Sequence, residues 1–327
     1  MPTAAHSRPK NPVRADTAFV MRFAKSVRID RERIDRLADE WAAAKMLPPA
    51  WMNDVHLESR DPVRLLTYAI VLDSMNFCFW SKERKWSVAS RGKTYSGYLA
   101  LAISLKRWFE EYPDRATFAY FSTMPWKDFR EMLHGGEGLL LLRRRWQIVR
   151  SVGRVMMKRY GGDPVVFVSS ARRKFSILVP KIARELPSFN DRAEYRGRKV
   201  AILKRAQILA GDIWGILGGK GPGVFDDLDY LTAFADYKLP QFLRERGIFI
   251  YAPSLEKKIA KGTLIAAGSR EEVEIRAATV QAVEYLKDAL ARRGVRRHSF
   301  QVDWILWIAS KRDALSVPHH LTRTVFY

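Results

Sequence analysis

The sequence predicts a mostly α, multi-helical protein with only a few short strands. Apolar residues recur at helical spacing in one segment after another. The segments open on N-cap residues or proline and close on glycine or proline, the punctuation that helices need at their ends. Hydrophobic residues make up 47% of the 327 and aromatics 12%, enough for a sizeable core.

Taken in order, "MPTAAHSRPKNPVRADTAF" lacks the continuous apolar stretch of a secretory signal, and residues 1–20 read as a loosely ordered basic arm. "DRERIDRLADEWAAAKML" carries Ile34, Leu37 and Trp41 at i, i+3, i+7 and stops at Pro48-Pro49, which cannot continue it. "DPVRLLTYAIVLDSM" opens with Asp61 as N-cap and Pro62 as first helical residue. Its apolar residues cover nearly the whole circumference, which places it deep in the core. "SGYLALAISLKRWFEEY" follows, then a long helix over about 139–160, closed by Gly161-Gly162.

"VVFVS" and "IFIY" are the strand candidates. "VAILKRAQILAGDIWGIL" is helical in pattern and ends at "GGKGPG", which lacks the Lys-Ser/Thr ending of a nucleotide phosphate loop and reads as a turn. "SREEVEIRAATVQAVEYLKDALARRG" begins with a Ser269-x-x-Glu272 capping box and closes at Gly294. "SFQVDWILWIASKRD" is one more amphipathic helix, and "TRTVFY" a short extended piece. Residues 21–327 read as a single domain in two helical lobes, about 21–187 and 188–327, around a cleft.

The formal net charge of +22 suggests a polyanion or a phosphorylated ligand. The basic runs at 143–145, 172–174, 196–199 and 292–298 are scattered, which argues against one nucleic-acid stripe. A single cysteine, Cys78, rules out an internal disulfide and a multi-cysteine zinc site and fits a reducing cytoplasm. Six histidines form no HExxH pattern, and no apolar run is long enough to span a bilayer. A cytoplasmic protein without a membrane partner or a metal is expected.

Polar residues stranded in apolar helices are the informative ones: Asp73 and Asn76, Lys204, Gln207 and Asp212, Glu274 and Arg276, and Asp303. Asp236 joins them in "FADYKLP", an acid among apolar and aromatic neighbours. Phe77, Trp80, Trp214, Tyr237, Trp304 and Trp307 travel with these groups. Aromatic faces beside a few hydrogen-bonding side chains suit a planar heterocycle. In "GGKGPGVFDDLDYLTAFADYKLPQFL" a helix, a glycine-rich hairpin, a second helix and an Asp are expected in the order used by helix-hairpin-helix DNA glycosylases. A carboxylate in a water-poor pocket would oppose the positive charge that glycosidic cleavage builds on the anomeric carbon. A DNA or RNA glycosylase, or a nucleic-acid-binding protein of the helix-hairpin-helix type, is the alternative reading.

At "NFCFWS" (76–81), "KRAQIL" (204–209), "FADYKLPQ" (234–241), "EVEIRA" (272–277), "DWILW" (303–307) and Tyr327, the chain resembles the queuosine salvage proteins, queuosine 5'-phosphate N-glycosylases. The resemblance runs over about 27–327. It implies hydrolysis of queuosine 5'-monophosphate to queuine and ribose 5-phosphate, with no cofactor, no metal and no nucleic-acid polymer as substrate. It also implies a glycosylase-like helix-hairpin-helix core. Carried onto this chain, Asp236 is the catalytic carboxylate and Lys204 the cation near the ribose or the 5'-phosphate. Phe77 and Trp80 line the base pocket, Asn76, Asp303 and Tyr237 meet the base edge, and Trp307 and Tyr327 complete the substrate-binding set. Asp303 and Glu274 are the candidates to meet the secondary ammonium of queuine. Leu99 departs from the family pattern, which has an aromatic there.

Overall fold

A computed structural model describes residues 11–49, 51 and 54–327. Fourteen α-helices and six short strands make up the regular structure among them. The first half contains α1 (Pro12–Phe23), β1 (Val27–Ile29), α2 (Arg31–Ala43), α3 (Pro62–Ser74), β2 (Ser87–Ser90), β3 (Lys93–Ser96) and α4 (Tyr98–Glu111). The short α5 (Phe118–Thr123) and α6 (Trp126–Met132) follow, then α7 (Leu142–Tyr160), α8 (Pro164–Ser169) and α9 (Phe175–Glu185). The second half contains β4 (Arg192–Tyr195), β5 (Arg198–Ala201), α10 (Lys204–Ile216), α11 (Lys238–Glu245) and β6 (Phe249–Tyr251). It ends with α12 (Pro253–Ala260), α13 (Arg270–Arg292) and α14 (Ser299–Arg312).

Among the described residues the strands pair only as three antiparallel ribbons: β1 with β6, β2 with β3, and β4 with β5. The last two are hairpins turned by Arg91-Gly92 and Arg196-Gly197, both residues of each pair at positive φ. That backbone matches the twist of the flanking strands, and glycine adopts it without strain.

Two helices form the centre. α13 packs on α1, α2 and α14, and α3 packs on α4, α7 and α10. Every residue of α3 from Leu65 to Ser74 is buried, as its all-round apolar pattern requires. Asp61 accepts from the N–H of Val63 (2.9 Å) and Ser269 from that of Glu272 (3.4 Å), so both N-caps form, but the capping box at Ser269 is not closed because the Glu272 carboxylate accepts from the N–H of Gly268 (3.0 Å) instead. The buried apolar side chains form one cluster that extends to both sides of residues 187–190.

Three expectations need correction. Residues 12–20 are not a loose arm; they belong to α1, where Asn11 caps Val13 and Val13, Thr17 and Val20 are buried. Asn-Pro at 11–12 is a start signal that the basic composition obscured. Residues 1–10 of the proposed arm lie outside the described residues. "VVFVS" is helical, within α8, because Asp163 caps Val165 (2.7 Å) and Pro164 presets the first turn.

The third correction concerns the glycine hairpin. After α10 the chain forms a 3-10 turn at Gly221–Gly223 and another at Leu228–Tyr230, then runs irregularly to Tyr237. No α-helix separates the glycines from Asp236, so the expected helix-hairpin-helix order is not met. Asp227, in the middle of that segment, caps α9 by accepting from Phe175 (2.6 Å) and Ser176 (3.0 Å).

Gly153 lets α7 close onto α5. A Cβ placed there meets the Ser122 nitrogen at 2.5 Å and its Cα at 2.8 Å, both backbone atoms that cannot swing away. Alanine in place of Gly153 gains about 1 kcal/mol of helix propensity but forces two helices apart. The expected net effect of Gly153→Ala is a loss of about 1–3 kcal/mol, read from the urea midpoint at unchanged m-value.

Candidate active site

A cavity of about 410 Å³ opens between the two halves of the sequence. Its frame is irregular chain held by helices. Backbone outside helices and sheets must find partners for its N–H and C=O groups, and buried arginines supply many of them here. Arg145 donates to the carbonyls of Met75 (2.8 Å), Phe77 and Cys78 (3.0 Å). Arg205 donates to those of Asp73 (3.1 Å) and Ser74 (2.8 Å). The two guanidinium groups also sit near the ring of Phe77, at 4.1 and 4.9 Å from its centroid. The loop after α3 is thereby fixed, with Asn76, Phe77 and Phe79 facing the cavity.

The segment before α11 carries Asp236. Asn11 Nδ2 donates to the Tyr230 carbonyl (2.6 Å) and Arg14 to that of Leu231 (2.7 Å), so α1 clamps its start. Asp303 Oδ1 accepts from the N–H of Phe234 (2.7 Å), and Arg276 Nε donates to the Ala235 carbonyl (3.2 Å). Asp236 Oδ1 then accepts from the N–H groups of Lys238 (2.7 Å) and Leu239 (3.0 Å) at the first turn of α11. Its Oδ2 has no hydrogen bond to any described residue, and the side chain lines the cavity.

Lys204 begins α10, its N–H held by Asp191 Oδ2 (3.1 Å). Burial depresses its ammonium, while the carboxylates of Asp236 and Asp73 oppose that shift. Asp303, fully enclosed, is pushed up to about 8 by desolvation and, further, by the charge of Asp236. It is therefore mainly a neutral acid near pH 7, able to donate a hydrogen bond. Asp73 and Asp212 lie against each other. Burial lifts Asp73 to about 6, and burial together with the charge of Asp73 pushes Asp212 well above the usual carboxylate range. Asn76 Nδ2 donates to Asp73 (3.0 Å) and fixes the geometry.

Aromatic rings supply most of the wall. Phe77, Phe79, Tyr98, Trp214, Tyr237, Trp304, Trp307 and Tyr327 all line the cavity. His56, kept neutral by burial, hydrogen-bonds Tyr68 (3.3 Å) and Tyr98 (3.5 Å).

This chain matches the profile described as queuosine salvage protein over residues 55–327. A protein of Sphaerobacter thermophilus named queuosine 5'-phosphate N-glycosylase/hydrolase is 42% identical, covering 95% of this chain and 96% of its own. Proteins of the same name from Mus musculus and Dictyostelium discoideum are each 32% identical, covering 96% and 98% of this chain. The chain belongs to the queuosine salvage protein family.

For this family member, the cavity brings together Asp236, Asn76, Phe77, Lys204, Tyr237, Asp303, Trp307 and Tyr327. Trp80 is not among its lining residues. Its indole Nε1 donates to the Thr322 carbonyl (3.1 Å) and pins the last segment of the chain, and Phe79 holds the wall position instead. Cys78 at φ +50° turns the backbone between Phe77 and Phe79, a reversal no spacing rule anticipates. Glu274 is also elsewhere: it accepts from Lys25 N (2.9 Å), Ser26 N (2.6 Å) and Tyr195 OH (2.8 Å). Two residues along a helix point to nearly opposite sides, and Arg276 takes the inner one.

Residues the sequence reading missed are Trp51, His56, Phe79, Tyr98, Lys238 and Lys311. A signal existed for one of them. Asp303, Trp307 and Lys311 follow i, i+4, i+8 on α14, so the face that presents the acid also presents the lysine.

Replacing Arg276 by Met strands Asp191 as an unpaired buried charge. A loss of about 3–5 kcal/mol is expected from urea unfolding. Asp303→Asn should act the other way. The native carboxyl is raised above its unfolded value, so it costs stability increasingly from about pH 4 to about pH 8. The Asn variant should resemble the parent near pH 4 and exceed it by a few kcal/mol near pH 8, measured as denaturation midpoints across that range.

Proposed function

We propose that this chain is a queuosine 5'-monophosphate N-glycosylase, hydrolysing the N-glycosidic bond to free queuine and ribose 5-phosphate. The reading rests above all on Asp236. One carboxylate oxygen is held by two backbone N–H groups, and the other faces an aromatic cavity beside Lys204 and Asp303. The names of the relatives supply the substrate.

As the C1'–N bond lengthens, its electron pair moves to the base and positive charge spreads over C1' and the ring oxygen of the sugar. Asp236 opposes that charge where little water competes. The hydroxyl of a water molecule ends on C1', and the remaining proton ends on the base. Queuine is a 7-deazaguanine, so the ring position where a purine leaving group takes a proton is a carbon. The hydrogen must come through another edge, and Asp303, protonated near neutral pH, is the donor the cavity offers. Tyr237, Trp304 and Trp307 cover the faces of the base and limit solvent access. Lys204, whose ammonium Asp236 favours against the effect of burial, keeps that carboxylate oriented.

The cavity volume suits one nucleotide rather than a polymer. Among the described residues no helix is long and apolar enough to cross a membrane, and the lone Cys78 is buried and free. We place the reaction in the cytoplasm, without a metal or organic cofactor.

Chromatographic measurement of free queuine released from queuosine 5'-monophosphate tests this reading. Asp236→Asn should lower kcat by about 10³-fold or more while the circular dichroism spectrum stays that of the parent. Turnover by the Asn variant close to the parent rate sinks the assignment.

A further inference from the structure

We propose that the outward face of α7 docks duplex RNA by its phosphate backbone, as a partner and not as the substrate. The choice of RNA rests on the glycosylase reading above. A ribonucleoside 5'-monophosphate is what RNA yields when hydrolysis leaves the phosphate on the 5' oxygen.

A net charge of +22 far exceeds what one nucleotide needs, yet most of the basic runs are answered within the protein. Arg173 and Lys174 pair with Asp226 (2.7 and 3.6 Å), and Arg198 pairs with Asp16 (2.6 Å). Arg292 and Arg293 pair with Asp35 and Asp39 (2.9 and 2.6 Å). The run at 143–145 differs. Arg145 is buried against carbonyls, Arg143 lies on tryptophan rings, and Arg144 donates to Gln147 (3.2 Å).

That run opens a longer series hidden by its spacing. Arg143, Gln147, Arg150, Arg154 and Lys158 recur at i, i+4, i+7, i+11 and i+15, one helix face about 22 Å long. No Asp or Glu occurs in the 19 residues of α7. Its four cations on this face make no ion pair among the described residues, whereas Arg159, on another face, takes Glu185 (3.6 Å). The acids of the neighbouring α6 are engaged elsewhere, Asp128 by Tyr120 and Arg115 and Glu131 by Tyr112.

The arginines are oriented without being neutralised. The Arg143 guanidinium lies 4.7 Å from the ring centroid of Trp126 and 4.4 Å from that of Trp146, with Arg150 at 4.8 Å from Trp146. Trp146 is itself fixed by donating Nε1–H to the Met124 carbonyl (2.8 Å). A guanidinium held by its face keeps edge N–H groups for phosphate oxygens. Arg150 and Arg154 both donate to the Ser122 carbonyl (3.4 Å each), so two like charges converge on one neutral acceptor. An anion placed there relieves their repulsion.

The form of the partner follows from what the face lacks. Guanidinium groups already cover the indoles, so no ring is offered to an unstacked base, as a single strand would require. A straight row of cations instead matches phosphates held at fixed spacing in a duplex, which is recognised by shape and backbone. Arg145, two residues after Arg143 and therefore on the opposite side of α7, holds the loop that lines the cavity. RNA on the outer face is thus turned away from the reacting carboxylate.

Fluorescence anisotropy with a labelled RNA hairpin of about 16 base pairs, from about 50 to 200 mM salt, tests the surface. One variant combines Arg143→Gln, Arg150→Gln, Arg154→Gln and Lys158→Gln. A control removes the same charge from exposed positions elsewhere, by Lys25→Gln, Arg28→Gln, Arg192→Gln and Lys199→Gln. In the parent, log K should fall against log salt with a slope of about −3. The α7 variant should bind about ten- to a hundredfold more weakly at about 100 mM salt, with a slope shallower by about two or more, while the control stays within about threefold of the parent. Both variants should keep the parent's thermal melt and its rate of queuine release. Equal losses in the two variants show diffuse attraction by net charge and overturn the docking face. No binding by the parent, or tighter binding of a DNA hairpin of the same sequence or of polyglutamate, overturns RNA as the partner. A parent that binds RNA in this way but frees no base from queuosine 5'-monophosphate overturns the glycosylase reading and leaves the docking face standing.

Discussion

Arg276 ties together three pieces of chain that have no other reason to meet. Its Nη groups bind both oxygens of Asp191 (3.0 and 2.5 Å), its Nη1 reaches Glu272 (3.4 Å), and its Nε holds the Ala235 carbonyl (3.2 Å). The guanidinium also lies 4.2 Å from the centroid of the Tyr327 ring. Asp191 in turn holds the N–H of Lys204. One buried cation thus sets the start of α10, the residue before Asp236 and the ring that closes the cavity. A bidentate guanidinium with its remaining donors used is the arrangement in which a buried ion pair is tolerable, because desolvation is answered by hydrogen bonds on every side. The "EVEIRA" motif is explained by this framework role: Glu272 and Arg276 are one turn apart, and neither lines the cavity.

Within that frame, carboxyl groups of one chemical type are given different states by their surroundings. Asp303 accepts a single backbone hydrogen bond in a dry position and holds its proton into the alkaline range. Burial pushes both Asp73 and Asp212 up, and Asn76 donates to Asp73. Asp236 meets two N–H groups at a helix start, has Lys204 as a neighbour and keeps one oxygen directed at the cavity. In the proposed reaction, separating acids in this way lets one site present an anion to a sugar and a hydrogen to a base at the same pH. Lys204 belongs to this balance, since without a cation the group would carry too many acids for any to stay ionised at low cost.

What the sequence could reveal followed from how local each signal was. Asp61 and Ser269 announce α3 and α13 because a cap needs only its own next three residues. The polar groups in apolar helices were visible for the same reason, and half of the eight, Asn76, Lys204, Asp212 and Asp303, do reach the cavity. The hairpins were not visible, since Arg91-Gly92 and Arg196-Gly197 lack the Asn-Gly or Asp-Gly signature of such turns. Trp80 and Phe79 could not be sorted, because the choice between them is made by the backbone at Cys78 and by the guanidinium of Arg145, 67 residues from Cys78 by sequence. Glu274 and Arg276 defeated pattern reading for a different reason. α13 is buried from Glu272 through Glu284, so its sequence offers no polar face to say which side is inner.

The placement of the acid therefore depends on closure over very long stretches of chain. Asn11 and Arg14 hold residues 230 and 231, Asp303 holds residue 234, and Arg276 holds residue 235. On the other wall, the N–H of Cys78 binds the Tyr327 carbonyl (2.8 Å) while Trp80 binds that of Thr322. None of these contacts can form until the helices carrying them have docked, so loop-closure entropy is spent before the site gains any order. The irregular segments that carry the chemistry have little regular hydrogen bonding of their own to fall back on. Their rigidity is borrowed from α1, α13 and α14, and Asp236, the carboxylate proposed to react, lies on such irregular chain just ahead of α11.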